Sequence, residues 1–136
     1  TRGRFGVGVK RATSALHSAW LALGLGQGEK GKDDWLWTTP ITFTASANCG
    51  LYCGANIDFV DIDPLTLNMS INALEEKLQL ADAENRLPKI VIPVHFTGEP
   101  CDMAAIHALS QQYGFKVIED ASHAIGGKYK ENYISF

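Results

Sequence analysis

Hydrophobic and polar positions along the chain follow two spacings, one typical of helices and one typical of buried strands. Apolar residues three or four apart, or runs of small residues, predict helices at residues 13–25, 43–52, 70–80 and 102–113. Short β-prone runs between them predict strands at residues 35–39, 57–61, 89–94 and 115–119. The Gly-, Lys- and Asp-rich stretch at 26–34 predicts an exposed loop, and residues 133–136 resemble the start of a buried strand.

This alternation of helix and strand predicts an α/β fold with three layers, in which a mainly parallel sheet carries helices on both faces. We expect residues 90–94 and 115–119 as central strands because their apolar character is continuous. A length of 136 residues suits a single domain spanning residues 1–136. Ligands of such sheets bind at the carboxyl ends of strands and the amino ends of helices, so candidate chemistry is sought there.

Composition and charge narrow the function classes. The formal net charge is -3 and no basic run occurs, which argues against nucleic-acid binding. The apolar stretches are too short to cross a membrane and no secretory leader is visible, so we expect a cytoplasmic protein. The three cysteines have no disulfide spacing, which fits a reducing compartment. Cys49 and Cys53 have no further ligands nearby, which favours buried thiols over a metal site.

Two segments predict contacts with a phosphorylated planar ligand, and each has a structural alternative. Thr13 and Ser14 open the first helix, where free backbone N–H groups, the helix dipole and two hydroxyls can hold a phosphate. The same residue types are also ordinary helix N-caps. Phe43 follows the strand at 35–39 and can present a flat face to a planar cofactor, with a core aromatic as the alternative.

The segment at residues 117–124 carries the richest chemistry. Asp120 follows an apolar strand, and a carboxylate there can pair with a protonated ring nitrogen such as that of a pyridine. His123, three residues later, can reach the same ring from another side. The alternatives are an aspartate that caps the next turn and a hydrogen-bonded core histidine. His95 has no nucleophile placed with it by the sequence, which favours a structural role.

Five segments in this order and spacing resemble the DegT-type nucleotide-sugar aminotransferases, which are fold-type-I enzymes that use pyridoxal phosphate (PLP). The segments are residues 12–17 (ATSALH), 39–48 (TPITFTASAN), 54–63 (GANIDFVDID), 91–95 (VIPVH) and 117–124 (VIEDASHA). Residues 36–41 (LWTTPI) and 51–55 (LYCGA) are particularly similar to the branch that makes the 4-amino sugar precursor of pseudaminic acid. The resemblance covers nearly the whole chain but only the N-terminal part of a family member.

By this resemblance, the PLP phosphate would be held by Thr13 and Ser14, and Phe43 would stack on the pyridine ring. Asp120 would pair with the ring nitrogen, and His123 would lie near the phenolic oxygen. The implied reaction exchanges a 4-keto group on a nucleotide-linked sugar for an amine from glutamate. No residue of the chain matches the family's Schiff-base lysine, so no catalytic residue is assigned. We therefore expect a truncated chain that is inactive alone.

One departure from the family pattern, one alternative function and the partners complete these expectations. The segment before Thr13 is short and ends in Lys10 and Arg11, which can themselves attract a phosphate. The alternative function is a non-enzymatic interaction or assembly domain that retains the fold. The resemblance implies a homodimer or larger homo-oligomer, and a nucleotide sugar as substrate of the full-length family. We expect three exposed apolar residues at the subunit interface, namely Trp35, Trp37 and Phe136.

Overall fold

The computed structural model describes residues 5–26, 34–130 and 132–134. The helices are α1 (Ala12–Ala22), α2 (Ala45–Tyr52), α3 (Ile71–Ala83) and α4 (Met103–Tyr113). The strands are β1 (Trp35–Thr38), β2 (Asn56–Phe59), β3 (Ile90–Val91), β4 (Lys116–Val117), β5 (Lys128–Tyr129) and β6 (Asn132–Tyr133). All predicted helices and the first four predicted strands are therefore present, although the strands are shorter than expected. Most of the predicted loop at 26–34 lies outside the described residues.

Strands β1 to β4 form one parallel sheet in the order β2-β1-β3-β4. A bridge between Val94 and Asp120 continues the pairing beyond β3 and β4. In this continuation the Asp120 N–H donates to the Pro93 carbonyl at 2.9 Å, and the His95 N–H donates to the Asp120 carbonyl at 3.1 Å. The segments that follow β3 and β4 therefore lie side by side at the carboxyl edge of the sheet.

Side chains of the sheet alternate between two apolar clusters, one on each face. Trp37 and Val91 belong to a cluster that includes the buried apolar side chains of α3 and α4. Leu36 and Ile90 belong to a second cluster that includes the buried apolar side chains of α1 and α2. Because neighbouring residues of a strand point to opposite faces, α1 and α2 cover one face of the sheet while α3 and α4 cover the other. The predicted three-layer arrangement is confirmed.

Helices α3 and α4 begin where the sequence signals predict, and α4 also ends there, whereas α3 continues to Ala83, past the predicted end at residue 80. The Ser70 hydroxyl accepts a hydrogen bond from the Ala73 N–H at 3.3 Å, and the Asp102 carboxylate accepts one from the Ala105 N–H at 3.3 Å. Both residues are N-caps, which satisfy backbone donors that the first helical turn leaves unpaired. Gly114 ends α4 with a φ of 80°, a left-handed conformation that costs glycine little.

The strand predicted at 115–119 is not central, so this expectation is wrong. Strand β4 pairs with β3 alone and lies at one end of the four-stranded sheet. Lys116 and Glu119 are exposed while Val117 and Ile118 are only half-buried, whereas Phe115 is buried. At this position Lys116 faces solvent and the Glu119 side chain is 33% exposed, whereas residues 90–94 are buried throughout.

The expected exposure of Trp37 is also wrong. Its side chain is 2% exposed because it points from β1 into the apolar cluster beneath α3 and α4. Trp35 is half-buried and packs against the same cluster. Phe136, the third expected interface residue, lies outside the described residues.

Strands β5 and β6 form a separate antiparallel hairpin that the sequence pattern did not reveal. The strand start predicted at 133–136 overlaps β6 only at Tyr133, and residues 135–136 lie outside the described residues. The hydroxyl of Tyr129, in β5, donates to the Asp102 carboxylate at 2.8 Å and accepts from the Ala104 N–H at 3.2 Å. The hairpin is therefore attached to the first turn of α4.

Three further features bear on the function classes. Within the described residues, no helix combines the length and apolar character needed to span a bilayer. The same residues contain no cluster of three or more His, Cys, Asp or Glu side chains placed to hold a metal ion. Cys49, Cys53 and Cys101 are free and buried, which confirms the prediction of buried thiols at the first two positions.

Candidate functional site

A cavity of about 300 Å³ opens at the carboxyl edge of the sheet, beside the first turns of α1 and α2. Its wall includes Phe43, Asp120 and His123, together with Ala12 and Thr42. The volume lies at the lower end of the range that is typical of small-molecule sites. The structure therefore brings three of the five predicted cofactor contacts into one cavity.

Asp120 is 8% exposed, and three hydrogen bonds hold its side chain in place. Its Oδ2 accepts from the Ser46 hydroxyl at 3.1 Å. Its Oδ1 accepts from the Ser122 N–H at 3.1 Å and from the Ser122 hydroxyl at 2.6 Å. Donors alone suit an ionised carboxylate, which has only acceptor oxygens. The contact to the Ser122 N–H is the turn-capping role that the sequence left open, so Asp120 both closes its turn and lines the cavity.

Ser46 sets the direction of a longer chain of hydrogen bonds. Its single hydroxyl proton goes to Asp120, because an ionised carboxylate can only accept. The Oγ1 atom of Thr42 lies 3.0 Å from the Ser46 Oγ and must therefore donate to it. Ser46 is fully buried in the first turn of α2, whereas Thr42 lies in the cavity wall. Hydrogen bonds thus run from Thr42 to Ser46 and from Ser46 to Asp120.

Phe43 presents an open aromatic ring to the cavity. The residue is 73% exposed and lies in the turn between β1 and α2. A ring with this exposure is not part of the apolar core, so the core alternative for Phe43 is wrong. An open, flat ring in a cavity wall is suited to packing against a planar group.

His123 lies in the turn after Asp120, where it is exposed and forms part of the cavity wall. Its ring centroid is 6.3 Å from that of Phe96, with an interplanar angle of 60°. The exposure makes the core alternative for His123 wrong. The turn after β3 approaches the His123 backbone closely at Gly98, where a Cβ atom would lie 3.0 Å from the His123 carbonyl oxygen.

Thr13 and Ser14 lie beside the cavity but not in its wall. They are the second and third residues of α1, whose N-cap is Arg11, so the N-cap alternative for both is wrong. The Ser14 N–H donates to the Arg11 carbonyl at 3.0 Å. The N–H groups of Ala12 and Thr13 have no partner among the described residues, and Ala12 lines the cavity. The start of α1 therefore retains two backbone donors that suit an anion.

His95 has a structural role, as the sequence suggested. It is fully buried, and its Nδ1 accepts from the Cys101 N–H at 3.1 Å. The proton is therefore on Nε2, which donates to the Glu119 carboxylate at 3.2 Å. This hydrogen bond is the largest cause that lowers the pKa of Glu119, while burial of the carboxyl group acts in the opposite direction. His95 thus joins the turns after β3 and β4 rather than facing the cavity.

The described residues offer no prepared nucleophile at the cavity. Burial raises the pKa of the Cys101 thiol to about 11, and burial also raises the thiol pKa of Cys49 and Cys53. A protonated thiol is a poor nucleophile. None of the described lysines lines the cavity. The site is therefore suited to binding and orienting a group, with no covalent partner from this part of the chain.

Sequence reasoning missed three site residues, namely Thr42, Ser46 and Ser122. They lie within the segments at 39–48 and 117–124, where hydroxyls among small residues form no distinctive pattern. One signal was available, since a residue two positions after an aspartate is where an Asx turn donates its N–H. The contact between Ser46 and Asp120 joins residues 74 positions apart and depends on the order of strands in the sheet.

Comparison with known proteins identifies the family of the chain. Residues 1–135 match the DegT/DnrJ/EryC1/StrS aminotransferase family. The spore coat polysaccharide biosynthesis protein SpsC of Bacillus subtilis (strain 168) is 40% identical over 128 residues, which are 94% of this chain and 30% of SpsC.

Two solved structures share the fold. A DegT DnrJ EryC1 StrS aminotransferase from Brucella abortus has a TM-score of 0.80 and 34% identity, over 89% of this chain and 31% of its own. Helicobacter pylori PseC, an aminotransferase involved in the biosynthesis of pseudoaminic acid, has a TM-score of 0.76 and 26% identity, over 91% of this chain and 31% of its own. The chain thus spans about 30% of the length of SpsC. Since the family match covers nearly all of it, the chain belongs to the DegT/DnrJ/EryC1/StrS aminotransferases, a family of PLP-dependent sugar aminotransferases.

Proposed function

We propose that this chain supplies the PLP site of a nucleotide-sugar aminotransferase that exchanges a 4-keto group on the sugar for an amino group from glutamate. The observation that carries the proposal is the convergence of Phe43, Asp120 and His123 on one cavity. The names of SpsC and PseC refer to polysaccharide and pseudoaminic acid biosynthesis, which supports a sugar substrate.

The residues around the cavity fit PLP in charge and in shape. The carboxylate of Asp120, which meets only donors among the described residues, suits a protonated pyridine nitrogen. The open ring of Phe43 suits the flat face of the pyridine. The two N–H groups at the start of α1 that have no partner among the described residues, and the hydroxyls of Thr13 and Ser14, suit a phosphate.

Each residue then has a stated task. Asp120 would hold a proton on the ring nitrogen, because the nearby negative charge stabilises the protonated ring. Phe43 would pack against the ring and exclude water from one of its faces. His123 would orient the ring from the turn that follows Asp120. When bound, the cofactor supplies an electron sink for the electron pair released at the substrate carbon.

We also propose that these 136 residues do not catalyse amino transfer by themselves. The reaction needs an amine that binds the cofactor covalently and moves a proton at the substrate carbon. Three lysines follow β3, namely Lys116, Lys128 and Lys130. None of them matches the family's Schiff-base lysine, and none lines the cavity. A mixture with PLP, glutamate and a 4-keto nucleotide sugar should therefore yield no catalytic amount of amino sugar. Multiple turnovers would overturn this proposal and would point to one of these lysines.

Titration with PLP, followed by absorbance, tests the site itself. The wild-type protein should bind PLP, and Asp120→Ala should lose most of this binding. Asp82→Ala is a matched control, because Asp82 is an exposed aspartate of α3 and lies outside the cavity wall. It should bind PLP as the wild type does. Unchanged binding by Asp120→Ala would mean that the ring nitrogen does not lie at Asp120.

Exposed apolar side chains support a proposed homodimer or larger homo-oligomer. Phe5 and Val7, which precede α1, are 91% and 86% exposed, and Tyr52 of α2 is 66% exposed. Apolar surface of this kind is often covered by a partner. Sedimentation at several concentrations should show association, and a monomer throughout would contradict it. Association without PLP binding would favour the alternative function, a non-enzymatic assembly domain.

The free thiols support a proposed cytoplasmic location, which cell fractionation tests.

A further inference from the structure

We propose that Ser46 is a positioning residue, whose hydroxyl holds the carboxylate of Asp120 in the orientation that a ring nitrogen needs. The inference rests on the proposed function, because Ser46 has this task only if Asp120 contacts the PLP ring. Ser46 itself does not line the cavity, so its influence on a ligand passes through Asp120.

The two oxygens of Asp120 are fixed by different elements. Oδ1 is held by the N–H and hydroxyl of Ser122, in the turn that Asp120 begins. Oδ2 is held by Ser46, from the first turn of α2. The torsion that turns a carboxylate about its own axis has a broad energy minimum. Contacts to both oxygens therefore select one orientation, and within the described residues Ser46 alone supplies the contact to Oδ2.

Thr42 fixes the hydroxyl of Ser46 in turn. The Ser46 proton goes to Asp120, and Thr42 then donates to the Ser46 oxygen, which gives that oxygen a second hydrogen bond. Ser46 is fully buried in a helix, so its side chain has little freedom to move away. A site residue supported by buried hydrogen bonds on a regular element is held more accurately than one on a free loop.

The hydrogen bond from Ser46 to the charged Asp120 should have a measurable effect on the affinity for PLP. Removal of the Ser46 hydroxyl leaves Oδ2 without its donor, so that the carboxylate can rotate while Oδ1 stays bound to Ser122. A hydrogen bond to a charged group contributes enough free energy to change an affinity by about tenfold. We therefore expect Ser46→Ala to weaken PLP binding by about tenfold, through the contact between Asp120 and the ring nitrogen.

The experiment compares two ligands on protein freed of cofactor, PLP and its 1-deaza analogue, in which carbon replaces the ring nitrogen. Absorbance or fluorescence titration gives both affinities for the wild type, Ser46→Ala and Asp120→Ala. Ser46→Ala should weaken PLP by about tenfold and leave the deaza analogue within about twofold of the wild type. Equal weakening of both ligands would indicate a general structural role and overturn the inference. Unchanged affinity for both would also overturn it.

Three variants complete the test. Ser46→Thr keeps a hydroxyl and should restore the preference for PLP. Ser110→Ala removes another buried serine hydroxyl, which donates to the His107 carbonyl, and should change neither affinity. If Ser46→Ala does not fold, Thr42→Val releases the Ser46 hydroxyl and should weaken PLP about threefold more than it weakens the deaza analogue. If Asp120→Ala affects the two ligands equally, the proposed function fails, whereas an effect of Asp120→Ala without one of Ser46→Ala refutes this inference alone.

Discussion

The Nε2 atom of His95 lies 3.2 Å from an oxygen of Glu119, and this contact joins the buried His95, which follows β3, to the segment after β4. The other ring nitrogen accepts from the Cys101 N–H, which fixes the Nε2 proton toward Glu119. Glu119 directly precedes Asp120, whose backbone also pairs with the segment after β3. The contact between His95 and Glu119 therefore helps to set the backbone path that brings Asp120 to the cavity.

The variant Glu119→Gln should change how stability depends on pH. It removes the titrating group but keeps an oxygen that can accept from His95. The folded-state pKa of Glu119 is below its ordinary value of 4.5, so the charged group stabilises the fold above pH 4.5. This contribution is lost as the pH falls through the folded-state pKa. The excess stability of the wild type over the variant, about 1 kcal/mol or less for a partly exposed group, should therefore shrink below pH 4.5.

Urea unfolding of both proteins between pH 7 and pH 3 measures this difference. Glu75→Gln, which makes the same change on the exposed side of α3, is the matched control. An excess stability that grows as the pH falls would contradict the assigned role of His95.

Two substitutions of Asp102, the N-cap of α4, should differ in how much they lower the free energy of unfolding. Asp102→Ala removes the oxygen that accepts from the Ala105 N–H and should cost about 1 kcal/mol of unfolding free energy. Asp102→Asn keeps a capping oxygen and should cost much less. Chemical denaturation measures both, and equal losses would mean that the charge of Asp102, rather than its capping oxygen, stabilises the helix.

Tyr129→Phe should raise the pKa of Asp102, because the hydrogen bond from the Tyr129 hydroxyl is the largest cause that lowers this pKa.

The sequence predicted the helices well because the residues that begin and end a helix lie next to it in the chain. Ser70 and Asp102 cap the helices that follow them, and Gly114 ends α4, all at positions that the sequence marks. Strand placement failed where it depends on partners far along the chain. An apolar run at 115–119 cannot reveal that β4 pairs on one side only, and the direction in which Trp37 points depends on the packing of α3 and α4.

The same distinction holds for the candidate site. Phe43, Asp120 and His123 each follow a strand, and the carboxyl ends of parallel strands meet at one edge, so their convergence was predictable. The hydrogen bond from Ser46 to Asp120 was not, because it depends on side-chain distances between elements on different strands. Roles in binding PLP stay predictions for all of these residues.

The thiols should resist modification in the folded protein. All three cysteines are buried, and burial raises the pKa of Cys101 to about 11. At pH 8 the reactive thiolate of Cys101 is therefore scarce as well as inaccessible. Ellman's reagent should react slowly with the native protein, and with three thiols per chain after unfolding in guanidinium. Rapid reaction of one thiol in the native state would contradict the buried placement.

Gly98→Ala should damage both stability and the candidate site, and a second glycine provides the control. Gly98 has a φ of 87°, and a Cβ atom there would lie 3.0 Å from the His123 carbonyl oxygen. Gly114 has a φ of 80°, but an added Cβ would have no neighbour within 4 Å. Both alanine variants should lose about 1 kcal/mol for the left-handed backbone.

Only Gly98→Ala should also displace the turn that carries His123, so it should lose more stability and bind PLP more weakly. Gly114→Ala should bind PLP as the wild type does, because Gly114 lies at the end of α4 and outside the cavity wall. Denaturant unfolding and PLP titration of the two variants measure these differences. Equal affinities for PLP would mean that the close approach of Gly98 to His123 does not shape the cavity.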